Sequence, residues 1–113
     1  MRLEARKYLY DIEQAAARLE GFVAGKTLED YLAHAMLRAA VERQFEIIGE
    51  ALRRLAKEDP EIVVRIRDHQ RIIAFRNILI HGYADVDDRV VWDVLQTKLP
   101  TLLREVEALL EQE

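Results

Sequence analysis

The chain has 113 residues, half of them hydrophobic and a third charged, with a formal net charge of −4 and no Cys. That length suits one domain over 1–113 with a modest core, and leaves little room for a large enclosed substrate cavity. Without Cys there are no disulfides, thiolate metal sites or cysteine nucleophile, and a reducing compartment, the cytoplasm, is expected. An acidic chain does not hold nucleic acid by bulk electrostatics, so any RNA contact has to use a local patch.

Only four Gly and two Pro interrupt the chain, as in a helical protein. The N-terminal segment scatters charges through an amphipathic pattern, so neither a signal peptide nor a membrane span is expected. Leu3, Ala5, Tyr8, Leu9, Ile12, Ala15, Ala16, Leu19, Phe22 and Val23 trace one helical face through intervals of three and four, predicting a helix over 2–23 and a turn at Gly25-Lys26. Thr27 is the expected N-cap of a second helix, with acidic residues in its first turn. The series Leu28, Leu32, Ala35, Met36, Ala39, Phe45, Ile48, Leu52 and Leu55 carries that helix to about Ala56, the spine of a bundle.

Asp59-Pro60 reads as a turn and cap for a short helix over 60–67. Residues 71–81 are apolar on almost every side except at Arg76, Asn77 and His81. A run this short is also compatible with a buried strand; Ala74 and the Gly82 stop favour a buried helix. Asp87 or Asp88 is expected to cap a last helix, kinked or broken near 96–100 because Pro100 removes a backbone bond. The fold class is therefore all-α, an antiparallel bundle of four to five helices.

Packing explains most of these residues, but not 65–83. Arg65, Arg67, His69, Arg71 and Arg76 form a local positive cluster opposed only by Asp68, a candidate RNA-binding patch. On charge alone, a solvated arginine face explains it as well. Arg76, Asn77 and His81 are polar residues in an apolar helix, and burying them requires partners. Asn77 and His81 lie about 40° apart around a helix, whereas Arg76 lies about 140° from His81. Unwinding at Gly82, or a second subunit, would be needed to bring Arg and His to one site. Those two residue types are what metal-free RNA cleavage requires: Arg to stabilise charge on the scissile phosphate, His to move a proton. The alternative is structural, a His–Asn cap and an Arg paired with a carboxylate at the core edge.

A metal site is not expected. His34, His69 and His81 lack ligand spacing, and Asp85, Asp87 and Asp88 lack the other ligands of a calcium loop. Nucleotide-binding and nucleophile-elbow motifs are likewise missing.

Arg76-Asn77-Ile78-Leu79-Ile80-His81-Gly82-Tyr83 resembles the RNxxxHxY signature of HEPN domains, in the version carried by the HepT toxins. Arg43-Gln44-Phe45-Glu46-Ile47-Ile48-Gly49-Glu50-Ala51 is similar to the family's second-helix stretch, and Val91-Trp92 and Leu99-Pro100 also sit where the family carries them. The resemblance implies a homodimer with the two RNxxxH segments at its interface, and metal-independent endoribonuclease activity needing no cofactor. It further implies a toxin role, with a minimal nucleotidyltransferase (MNT) fold protein as antitoxin. Arg76 and His81 carry over as the catalytic pair, Asn77 as the residue orienting them, and Tyr83 as the position open to nucleotidylation. A non-catalytic adaptor subunit of a nucleotidyltransferase is the competing expectation; it has no chemical need for both Arg and His.

Overall fold

The computed structural model describes residues 1–112, and the Tyr83 side chain also lies outside the described residues. α1 spans Leu3–Val23 and buries Leu9, Ile12, Ala16 and Leu19, the face predicted from its spacing. Gly25 makes the following turn at φ +73°, a backbone conformation that strains residues with a Cβ. Thr27 then caps α2, Leu28–Ala33: its hydroxyl accepts from the Asp30 N–H, and the Asp30 carboxylate accepts from the Thr27 N–H in return.

The single spine helix expected from 28 to 56 is broken at His34, and α3 occupies Ala35–Glu58. His34 adopts φ −123°, ψ 94°, and its Nδ1 accepts from the Leu37 N–H at 3.1 Å, capping α3. Arg38 donates back to the Tyr31 and Leu32 carbonyls at the end of α2. The break lets α2 turn onto the C-terminal half of the chain, where Tyr31 is fully buried with its ring 5.5 Å from that of Trp92. Hydrophobic periodicity continues across His34, so the apolar pattern carries no sign of the break.

α4 is shorter than expected, Pro60–Val63, capped by Asp59 and followed by turns up to Asp68 that the buried Ile66 pins to the core. α5 covers His69–His81, which removes the strand alternative. It is not the buried helix expected from its composition. Ile72 and Leu79 are buried, whereas Ala74, Asn77, Ile78 and His81 are exposed. A 3-10 turn at Tyr83–Asp85 leads to α6, Asp88–Thr97, capped by Asp87, and α7, Leu99–Leu110, begins beyond Lys98 with Pro100 in its first turn. The break thus falls within the stretch that Pro100 predicts.

The result is an all-α antiparallel bundle. α3 packs between α1 and α5, α7 closes against α1, and α2 rests on α6. The Phe45 and Phe75 rings meet edge to face at 5.2 Å, locking α5 onto α3. No described helix is long and apolar enough to cross a membrane.

Candidate active site

α5 is regular to its last residue, so the sequence motif divides between two of its faces. Taking about 100° per residue, Ile72, Arg76, Leu79 and Ile80 turn toward α3. Ala74, Asn77, Ile78 and His81 turn away from it. The Gly82 N–H donates to the Ile78 carbonyl at 2.8 Å with φ −108°, so the helix ends without a left-handed cap and without unwinding before His81. One chain therefore does not bring His81 to Arg76.

Arg76 is held from three sides. Its stem crosses α3 at Gly49, where an added Cβ would fall 2.6 Å from Arg76 Cγ and closer still to its Cβ. Nη2 pairs with Glu50 Oε1 at 3.3 Å, and Nη1 donates to Asn77 Oδ1 at 2.9 Å. Nε is buried without a hydrogen-bond partner among the described residues. Arg76 thus makes the carboxylate pair that a purely structural reading requires. Asn77, however, bonds Arg76 rather than His81, so the His–Asn cap does not form. His81 makes no side-chain hydrogen bond among the described residues and stands in solvent.

In the sequence, Glu50 is legible only as one member of a row of ion pairs with Arg43 and Glu46 along its own helix. Arg43 does pair with Glu46, at 3.4 Å. Glu50 instead collects three guanidiniums. Arg53 donates through two nitrogens at 3.0 and 2.8 Å, Arg54 through Nε at 2.9 Å, and Arg76 reaches it from α5. The Arg53 and Arg54 hydrogen bonds, with the charge of Arg76 behind them, hold the Glu50 carboxyl down to about 2 from its ordinary 4.5. Because the folded-state value is the lower one, Glu50 stabilises the fold above about 4.5, and that contribution disappears as pH falls toward about 2. Glu50→Gln is expected to lower Tm at neutral pH, with the gap to wild type closing between pH 4.5 and 2 in a thermal melt series. A gap that stays constant across that window would remove Glu50 from the network.

The Arg76 side lines an open cleft of about 290 Å³ between α1, α3 and α5, shared with Lys7, Arg43, Glu46, Glu50 and Arg54. The part of α5 that faces α6 is mainly apolar, with Asp68, Arg71 and Lys98 at its rim. Ala74, Phe75, Ile78 and Val94 line a groove of about 320 Å³ against α6, with Ile78 56 % exposed and Val90 half-exposed beside it.

The cluster at 65–71 lies at the other end of α5, and its cations diverge. Arg65 donates to Gln112 Oε1 at 2.8 Å, His69 Nδ1 meets the Ile66 carbonyl at 2.8 Å, and Arg71 lies 4.0 Å from Asp68 on the outward face. The Arg67 N–H donates to the Glu105 carboxylate, and its side chain is exposed. The structure does not gather these four residues around Arg76.

A family model described as HepT-like (Ribonuclease HepT-like) matches residues 12–109, a span that contains Gly49, Glu50 and the whole of α5. The chain is 34 % identical over 108 residues to a "Putative RNase" of Caldanaerobacter subterraneus, covering 96 % of each chain. It is 34 % identical over 113 residues to a "Probable ribonuclease HepT" of Thermococcus cleftensis, covering 96 % of this chain and 98 % of the relative. A "Putative RNase" of Methanocaldococcus jannaschii is 31 % identical over 104 residues, covering 92 % of this chain and 94 % of its own. No solved structure matches.

Proposed function

Because this chain belongs to the HepT-like ribonuclease family, we propose that it is a metal-independent endoribonuclease toxin, working as a cytoplasmic homodimer of single-domain chains. The observation that carries this reading is the contrast between Arg76 and His81. Arg76 is fixed by Gly49, Glu50 and Asn77 at the edge of a charged cleft, while His81 stands free on the far face of the same helix. A fixed cation suits stabilisation of a phosphorane-like transition state, since it needs no reorganisation as charge develops. A free imidazole suits proton transfer at the 2′-hydroxyl or at the leaving 5′-oxygen. Asn77 orients the guanidinium.

That α5 does not unwind before His81 supports a site completed by the second subunit. The exposed Ala74–Ile78 strip and the apolar groove beside it supply a face for that pairing. Ile78→Glu is expected to separate the subunits in sedimentation velocity and to abolish cleavage together. A fully active monomer would contradict the paired site.

In this reading an MNT-fold antitoxin holds the toxin inactive and nucleotidylates Tyr83. The test is growth on induction, with and without an MNT-fold partner, for wild type, Arg76→Ala and His81→Ala. Arrest is expected only for wild type, with relief by the partner. Equal growth of all three with folded protein would sink the toxin reading and favour the adaptor. On co-expression the intact mass is expected to rise by a nucleotide adduct that Tyr83→Phe removes.

A further inference from the structure

We propose that the groove between α1 and α3, running from Arg43 past Arg76 to Lys57, holds the backbone of single-stranded RNA on both sides of the scissile phosphate. This rests on the ribonuclease reading for its choice of ligand, but not for its geometry. The cleft that contains Arg76 continues into a second one along α3, because Tyr8 and Arg54 line both. Together they carry Lys7, Arg43, Arg53, Arg54, Lys57 and Arg76 in a chain of net charge −4. The acidic lining residues are already committed. Asp11 takes Lys7 at 3.2 Å, Glu46 takes Arg43 at 3.4 Å, Glu58 takes Arg2 at 3.5 Å, and Glu50 is shared among three arginines. Lys57 makes no ion pair among the described residues, and one carboxylate does not neutralise three guanidiniums. The surplus charge of the groove is therefore positive and turned to solvent.

The spacing gives this surplus a direction. Arg43, Arg53, Arg54 and Lys57 lie along one exposed side of α3, and residues 43 to 57 span about 21 Å at the helical rise. Arg76 meets α3 at Gly49 and Glu50, near the middle of that span. A phosphate placed at Arg76 would thus have cations ahead of it and behind it. Phosphate contacts on both sides fix the register of a strand that runs through the site, which suits cleavage within a chain. The cations of 65–71 offer no such line.

Binding of a labelled single-stranded RNA of about twelve nucleotides, followed by fluorescence anisotropy, tests the proposal. All chains would carry His81→Ala so that the RNA stays whole. Arg43→Gln with Lys57→Gln, which touches neither Glu50 nor Arg76, is expected to raise Kd about tenfold. With two fewer phosphates neutralised, the slope of log K against log salt should flatten by about 1.4. Arg65→Gln with Arg67→Gln removes the same charge elsewhere and is expected to change Kd less than twofold. Equal weakening by both pairs, or weakening by the 65/67 pair alone, would overturn the groove. So would a groove pair that binds RNA normally but no longer binds an MNT-fold partner, which would make the surface a protein interface. The ribonuclease reading fails separately, if wild type leaves RNA intact in EDTA while the groove pair still weakens binding.

Discussion

Mixing two inactive variants is expected to restore activity. Arg76→Ala and His81→Ala should each lower cleavage of labelled RNA in EDTA by at least about 100-fold, the usual contribution of a positioned acid–base group or charge stabiliser. If each site takes Arg76 from one protomer and His81 from the other, a dimer built from one of each variant holds one damaged and one intact site. Random pairing makes half of the dimers mixed, so roughly a quarter of wild-type activity should return. A site contained in one chain gives no recovery at any mixing ratio. The two variants should also differ in stability. His81 is exposed and unpartnered among the described residues, so its loss should leave Tm unchanged. Arg76→Ala removes one of three cations from Glu50 and should lower Tm. A parallel drop in Tm and activity for His81→Ala would make that residue structural.

The roughly 140° between positions 76 and 81, which keeps a regular helix from aiming Arg76 and His81 at one point, is legible in the amino-acid sequence itself. So are the core faces of α1 and α3, the Thr27 cap, a cap at Asp87 or Asp88 and the break before Pro100, because spacing and cap chemistry are local. Three things are not legible there. His34 ends one helix and starts the next through its own ring nitrogen, while the apolar pattern runs on unchanged. The composition of α5 predicts burial; its outward Ala74 and Ile78 are apolar like its inward Ile72 and Leu79, so sequence does not separate the buried face from the exposed one. Glu50 looks like one more ion-pair partner along its own helix, because the cation that gives it meaning arrives from α5, 26 residues later in the chain. The one local signal for that crossing is Gly49. Glycine inside a long helix costs about 1 kcal/mol relative to Ala, and its presence marks a place where another segment comes close.

That signal gives the sharpest stability prediction. On propensity alone, Gly49→Ala should stabilise α3 by about 1 kcal/mol. The crossing reverses the sign. The new methyl would meet the Cβ and Cγ of Arg76, near the backbone of α5, and no rotation of a flexible side-chain end relieves that overlap. The helices would have to part, at about 1–3 kcal/mol net, which for a chain of this length lowers Tm by several degrees. Activity should fall more steeply, since a shift of about 1 Å in a positioned group costs on the order of 100-fold. Gly49 touches no reacting atom, so its effect must pass through Arg76, and the background decides it. Gly49→Ala should remain destabilising on Arg76→Ala, which keeps the offending Cβ. On Arg76→Gly, which removes it, the same substitution should become stabilising. That change of sign in a double-mutant cycle would locate the coupling at the backbone crossing rather than in the ion pair with Glu50. A rise in Tm for Gly49→Ala alone would mean that the helices have room to spare, and that Arg76 is held by its charge partners only.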